Sequence, residues 1–246
     1  MKKTILGLVL IFASGIVFGQ QGYAYTVVDG KSVTIIGYIG NDATLDIPAQ
    51  IQGLPVTSID DTTWNISNRN LKIINIPSSV TFINERAFSF VESLTTITVD
   101  SRNPAYTSVD GVLFDKNIRT IIAYPISRTT RTYTIPSTVT TIANRAFNHS
   151  SLTSITIPSS VTSIGEWAIS FTNLTSITIP SSVTSIGGWA FCSSQNLTSV
   201  TILSSVIAIG NDAFSSCERL TNVTLSRRAQ VGENAFPEKV RITYRD

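Results

Sequence analysis

Few residues of this chain could perform chemistry. His149 is the only histidine, so a serine nucleophile would have to use it as its general base. The two cysteines, Cys192 and Cys217, lack CxxC spacing, and no second histidine could complete a metal site with them. No glycine-rich phosphate loop follows a strand. The sequence therefore predicts a protein that is not an enzyme and that has no cofactor and no metal.

The two cysteines leave one structural question open. Export to an oxidising compartment would allow a disulfide between them. However, Cys192 comes one residue after Phe191, whereas Cys217 comes three residues after Phe214. These different repeat positions favour the alternative of two small thiols buried in an apolar core.

The middle of the chain consists of sequence repeats. The block LTSITIPSSVTSIGEWAISFTN is followed by LTSITIPSSVTSIGGWAFCSSQN. When the copies are aligned on the isoleucine before proline, the anchors Ile135, Ile157, Ile179 and Ile202 follow at steps of 22, 22 and 23, with Leu203 in place of the last proline. A fixed period of this size is typical of a solenoid and lies in the leucine-rich-repeat range.

Each part of the repeat predicts one structural element. LTSITI alternates apolar and hydroxyl residues, as a strand with one buried face does. Proline ends that strand, and VTSI gives a second short extended piece. The Ala-Phe pair, as in Ala190-Phe191, is expected in a turn or a single helical turn with its ring inside. We therefore expect a solenoid with a parallel β-sheet on one face and short extended, turn or single-turn helical segments on the other. Seven or eight turns would make a rod about 35–40 Å long.

The N-terminus predicts export. Lys2 and Lys3 precede the apolar run from Ile5 to Phe18, which is too short to cross a bilayer comfortably. Gly15, Val17 and Gly19 are small enough for a cleavage site, so residues 1–19 are interpreted as a signal peptide cleaved after Gly19. The alternative is an uncleaved membrane anchor. No second apolar run occurs near the C-terminus, so no membrane span is expected in the mature chain. The predicted location is extracellular or at the cell surface.

The rest of the chain divides into a capped repeat array. Residues 20–58 are expected to form an N-terminal β-hairpin cap and the first turn, and residues 59–236 the leucine-rich-repeat domain. Within that domain, 99–136 is an enlarged repeat with a predicted hairpin turn at Asp110-Gly111. Residues 237–246 are expected to be a C-terminal cap strand or tail.

Composition limits the class of partner. Charged residues make up 14% of the chain, against about 25% in typical domains. The formal net charge of +2 is too small to indicate nucleic-acid binding. The surface is therefore expected to be polar but nearly uncharged.

Two columns of side chains are candidates for partner binding. The position before Ala-Phe varies where its neighbours are fixed, which predicts exposure; Trp167 and Trp189 would lie side by side there, with Arg145 next in line. The alternative is that these rings pack across the outside of the stack. The second column consists of threonines one residue before the anchor, although threonine also simply suits an exposed strand. Its members are Thr156, Thr178, Thr201 and Thr224.

The motifs resemble a known family. The unit IPSSVTSIGxxAF…NLTSITIP, together with VDGVLF…YPIS…YTIP, resembles the BspA-type leucine-rich repeats of bacterial surface proteins over residues 35–236. The resemblance implies a surface or secreted protein that binds host, matrix or other cell-surface proteins, and it carries over no catalytic residue. The expected function is protein binding or adhesion. The alternatives are a carbohydrate-binding module that uses the tryptophan pair, and a purely structural envelope component.

Overall fold

A computed structural model describes residues 17–18, 22–64, 70–203 and 205–245. Within these ranges the chain forms strands and turns, with no α-helix and therefore none that is long and apolar enough to span a membrane. Most of the predicted signal peptide, residues 1–16 and 19, lies outside the described residues. Its described part, Val17–Phe18, is strand β1, which pairs antiparallel with strand β2 (Tyr23–Val28).

The N-terminal region is antiparallel before it joins the solenoid. Strand β2 pairs with β3 (Ser32–Tyr38) around a turn in which Asp29 and Gly30 have φ of 51° and 66°. Residues 29–31 connect the strands, because Val28 pairs with Ser32, and Lys31 N donates to the Val28 oxygen at 2.9 Å. Consecutive positive φ values of this kind are typical of tight hairpin turns. Strand β3 then pairs in parallel with the long strand Leu54–Trp64. The strands that follow are β4 (Thr44–Asp46), β5 (Gln50–Ile51) and β6 (Leu54–Trp64).

The LTSITI position of each turn forms a strand, as predicted. These strands pair in parallel within three groups, β4 with β7 and β9, β13 with β15, and β17 with β19, β21 and β23. Nine described strands occupy this position, more than the seven or eight turns predicted. After β4 they are β7 (Ile73–Ile76), β9 (Thr96–Val99), β13 (Thr132–Thr134), β15 (Ser154–Thr156), β17 (Ser176–Ile179), β19 (Ser199–Ile202), β21 (Asn222–Ser226) and β23 (Arg241–Arg245).

The VTSI position forms a second parallel ladder. Its strands are short. From Ile121 onward, neighbouring strands bring one isoleucine or valine of each turn into register, as in Ile164 with Ile186 and Ile186 with Ile209. The strand at Ile83 pairs instead with Ile59 of strand β6 in the preceding turn. The sequence period therefore becomes the turn-to-turn register of the solenoid. The strands are β8 (Phe82–Ile83), β12 (Thr120–Ala123), β14 (Thr141–Ile142), β16 (Ser163–Ile164), β18 (Ser185–Ile186), β20 (Ala208–Ile209) and β22 (Gln230–Val231).

The enlarged repeat stays in this stack. Strands β10 (Tyr106–Val109) and β11 (Val112–Asp115) form the hairpin predicted at Asp110-Gly111, and β11 continues antiparallel into β12. Asn103, which is fully buried, fixes the entry to the hairpin. Its amide donates to the carbonyls of Pro77 and Val80 at 2.8 Å, and its oxygen accepts from the N–H groups of Ala105 and Tyr106 at 2.9 and 2.8 Å.

The core lies between the strands and the turns. The Ala-Phe segments are turns, and their rings point inward as predicted, because Phe147, Phe191 and Phe214 are all fully buried. Phe191 and Phe214 stack with centroids 4.8 Å apart, whereas Ile169 replaces the ring in the turn between Phe147 and Phe191. The ladder of rings is therefore continuous only in the C-terminal turns.

A glycine column sets how closely the turns approach. Gly187 follows the isoleucine of VTSI, and an added Cβ there would lie 2.6 Å from backbone atoms of the preceding turn. Gly165, Gly210 and Gly232 meet atoms of the preceding turn at 2.4–2.5 Å in the same way. A side chain at these positions would hold neighbouring turns apart.

Candidate binding surfaces

The structure brings the predicted arginine and tryptophans together. Trp167 and Trp189 stack with their ring centroids 5.2 Å apart and their planes at 6°. The guanidinium carbon of Arg145 lies 5.3 Å from the Trp167 centroid, within cation–π range. These three residues, called the Arg-Trp ladder below, follow the outer edge of three successive turns. The two tryptophan rings therefore lie side by side, as the repeat period predicted. Both residues are half-buried, so part of each ring is accessible to solvent.

The Trp167 ring is covered on both faces and presents its edges to solvent. Arg145 covers one face of Trp167 and Trp189 covers the other, because all three side chains are stacked along the axis of the solenoid. A sugar ring recognised by stacking needs an open aromatic face. Trp167 offers none, so the geometry favours recognition through its edges and through the arginine.

A second aromatic column lies beside the ladder. The rings of His149 and Phe171 stack at 4.4 Å with an 11° angle between their planes. The centroid of Phe171 lies 6.3 Å from that of Trp167, and these two ring planes are nearly parallel, at 7°. His149 and Phe171 occupy the position four residues after the ladder position. The sequence gives no signal for a shared surface here, because the members of this column differ in type: His149, Phe171, Ser193 and Ser216.

Both columns rest on a left-handed backbone. The φ angles are 61° at Arg145, 56° at Trp167 and 53° at Trp189, and they are 60° at His149 and 55° at Phe171. Bulky residues rarely adopt this conformation, which costs about 1–2 kcal/mol for a residue with a Cβ. Stacking between successive side chains offsets part of that cost.

The threonine column lies on the sheet strands, away from these turns. Thr178, Thr201 and Thr224 are in parallel register, and Thr156 holds the equivalent place on strand β15. Thr156 and Thr178 are exposed, whereas Thr201 and Thr224 are half-buried. The column is therefore a regular hydroxyl strip on a different surface from the Arg-Trp ladder.

The two cysteines and the histidine are the side chains with reactive potential, and all three lie within the repeat turns. Cys192 and Cys217 are free and buried, as the favoured alternative predicted. Burial raises the pKa of the Cys217 thiol to about 12, so the thiol stays protonated at neutral pH. Burial also lowers the pKa of His149, with the Glu92 carboxylate partly opposing the shift. In the part of the chain that the structure describes, no three His, Cys, Asp or Glu side chains group together to hold a metal ion.

Solved structures share this fold. A leucine-rich repeat protein from Eubacterium ventriosum is 22% identical, with a TM-score of 0.69, over 92% of this chain and 83% of that chain. The pneumococcal vaccine antigen PcpA is 16% identical, with a TM-score of 0.57, over 96% of this chain and 93% of that chain. No curated protein sequence matches the chain. The strands and turns therefore define a leucine-rich-repeat solenoid.

The family of this chain is identified by a protein-family model that matches its sequence. The model for the BspA type leucine rich repeat region matches six copies, over residues 57–132 and 120–243. The chain belongs to this family. The resemblance seen in the repeat motifs is thus confirmed, including the enlarged repeat that both matched ranges overlap.

Proposed function

We propose that this protein is exported, with residues 1–19 as its signal peptide, and that it binds another extracellular or cell-surface protein through the Arg-Trp ladder. The observation that carries the proposal is the stack of Arg145, Trp167 and Trp189 on the outer edge of consecutive turns. The candidate partners are host proteins, matrix proteins or other cell-surface proteins.

The chemistry of the ladder supports a protein partner. Tryptophan and arginine are the residue types most enriched at the energetic centres of protein interfaces. Stacking already fixes both rings and the guanidinium, so binding costs little further side-chain entropy. Indole edges and the arginine can donate hydrogen bonds to carbonyl and carboxylate oxygens of a partner. The threonine strip would contribute additional neutral hydrogen bonds if a partner wrapped onto the sheet face.

The test is binding to a panel of purified extracellular-matrix proteins, measured by biolayer interferometry. The variant Trp167→Ser/Trp189→Ser should weaken binding by about tenfold or more, because truncating a hot-spot residue costs about 2 kcal/mol. Trp167→Phe/Trp189→Phe retains stacked rings and should restore part of the affinity. The matched control is Phe82→Ser, which removes a ring that is 54% exposed on a different strand.

The results of these measurements distinguish protein binding from the carbohydrate-binding and structural alternatives. Equal loss in the serine variant and in the Phe82 control would count against the ladder as the binding site. Binding to a glycan array that depends on both tryptophans would support the carbohydrate alternative instead. A correctly folded wild type that binds neither proteins nor glycans would support a purely structural envelope role.

A further inference from the structure

A shallow groove beside the second aromatic column has an uncharged lining. Phe171, Thr172 and Asn173 come from one turn, and Ser193, Gln195 and Asn196 come from the next, with His149 at the near end. The low pKa of His149 keeps its ring neutral at neutral pH. The lining therefore consists of the Phe171 ring, the neutral His149 ring stacked behind it, and hydroxyl and amide groups.

One face of Phe171 is open to this groove. His149 in the preceding turn covers the other face at 4.4 Å. In the following turn the same position is Ser193, whose φ of 58° nearly equals the 55° of Phe171. Equal backbone conformations direct the two side chains alike, so the small serine leaves space where a ring would continue the stack. Phe171 accordingly remains 41% exposed. This open face is what the Trp167 ring lacks.

The amides form a rim next to the open face. The Nδ2 of Asn196 lies 3.4 Å from Oδ1 of Asn173, and Arg219 donates to Oδ1 of Asn196 at 3.3 Å. Gln195 is exposed on the same turn as Asn196. Each amide offers both donors and acceptors, the combination that neighbouring hydroxyls of a sugar require.

We propose that this groove binds a neutral pyranose residue of an extracellular glycan. The C–H face of the sugar stacks on the open face of Phe171, and Asn173, Gln195 and Asn196 hydrogen-bond its hydroxyls. An apolar peptide side chain fits less well, because the groove offers one open ring face and polar groups rather than an enclosed apolar pocket. The site adjoins the Arg-Trp ladder, since Phe171 lies 6.3 Å from Trp167, but none of its lining residues belongs to the ladder, and it does not depend on the protein-binding function.

The experiment is saturation-transfer NMR on the whole secreted chain with methyl glycosides of glucose, galactose, mannose, fucose and N-acetylglucosamine. At least one glycoside should bind to the wild type. Phe171→Ser should weaken binding by about tenfold or more, and Phe171→Trp should retain it. Ser193→Phe should abolish it by placing a ring in the open space, and this variant removes no packing contact if Phe171→Ser fails to fold.

The Trp189→Ser variant distinguishes this site from the ladder. Trp189 stacks on Trp167 and is not part of the groove lining, so its loss should weaken protein binding and leave glycoside binding unchanged. The proposal is overturned if none of the five glycosides binds to the wild type. It is equally overturned if binding survives both Phe171→Ser and Ser193→Phe.

Discussion

Replacing Gly187 with alanine should destabilise the protein by about 3 kcal/mol. The new Cβ would lie 2.6 Å from the nitrogen of Glu166 and the carbonyl carbon of Gly165, and 2.8 Å from the oxygen of Gly165. These atoms belong to the backbone of the preceding turn, so no side-chain rotation relieves the contact. The two turns must separate by several tenths of an ångström.

The magnitude follows from what that separation disturbs. Overpacking a tight contact costs about 1–3 kcal/mol. The hydrogen bonds that join the two turns here, from Gly187 N to the Ile164 oxygen at 2.8 Å and from Trp167 N to the Gly188 oxygen at 3.1 Å, would lengthen. Each contributes about 1 kcal/mol. Together these terms cost up to about 3–5 kcal/mol. Alanine's restriction of the unfolded chain offsets about 0.4–1 kcal/mol of this, so the net cost is about 2–5 kcal/mol.

The neighbouring glycine supplies the matched control. A Cβ on Gly188 meets only the oxygen of Asn211, at 3.2 Å. Alanine also restricts the unfolded chain more than glycine, which favours folding by about 0.4–1 kcal/mol. Gly188→Ala should therefore change the stability by less than about 1 kcal/mol.

Urea unfolding followed by circular dichroism measures both variants. The midpoint should fall clearly for Gly187→Ala and stay close to the wild-type value for Gly188→Ala. If the two variants unfold at the same midpoint, the turns are not held at the separation that the glycine column indicates.

Three further predictions concern the core, the enlarged repeat and the histidine. Phe214→Ala should lower the free energy of unfolding by about 3–5 kcal/mol because it leaves a cavity in a fully buried stack; an unchanged urea midpoint would contradict this. Asn103→Ala should cost about 3 kcal/mol or more, since four buried or part-buried backbone groups lose their partner, and a near-neutral effect would show that water replaces the amide. The folded state holds the pKa of His149 below its ordinary value of 6.5, so stability should fall as the pH drops through 6.5 and below. In thermal melts across this range, His149→Phe should lose that component, and an identical pH profile in the variant would refute it.

The repeat unit could be predicted because its signals are local and periodic. Alternation in LTSITI specifies a strand, and the same columns return at each turn, so the parallel register and the buried Phe214 follow directly. The neighbourhood of Trp167 and Trp189 follows from the same period. In each case the prediction needed only the spacing of residues along the chain.

The features that the sequence did not predict depend on contacts between neighbouring turns. Trp167 and Phe171 have no sequence signal for a left-handed backbone, because bulky residues seldom adopt it. The covered faces of Trp167 and the open face of Phe171 depend on which side chain the adjacent turn supplies. In the sequence, Asn103 is an ordinary turn residue before proline. In the structure, its amide donates hydrogen bonds to carbonyls of a turn more than twenty residues earlier.

The Arg-Trp ladder can be tested directly against the sheet face. A matrix protein that binds to the wild type is titrated against Trp167→Ser/Trp189→Ser and against Thr156→Lys/Thr178→Lys, which places two charges on the exposed threonine strip. The ladder hypothesis predicts a dissociation constant raised about tenfold or more in the tryptophan variant and little changed in the lysine variant. The reverse pattern, with binding lost only in the lysine variant, would contradict it.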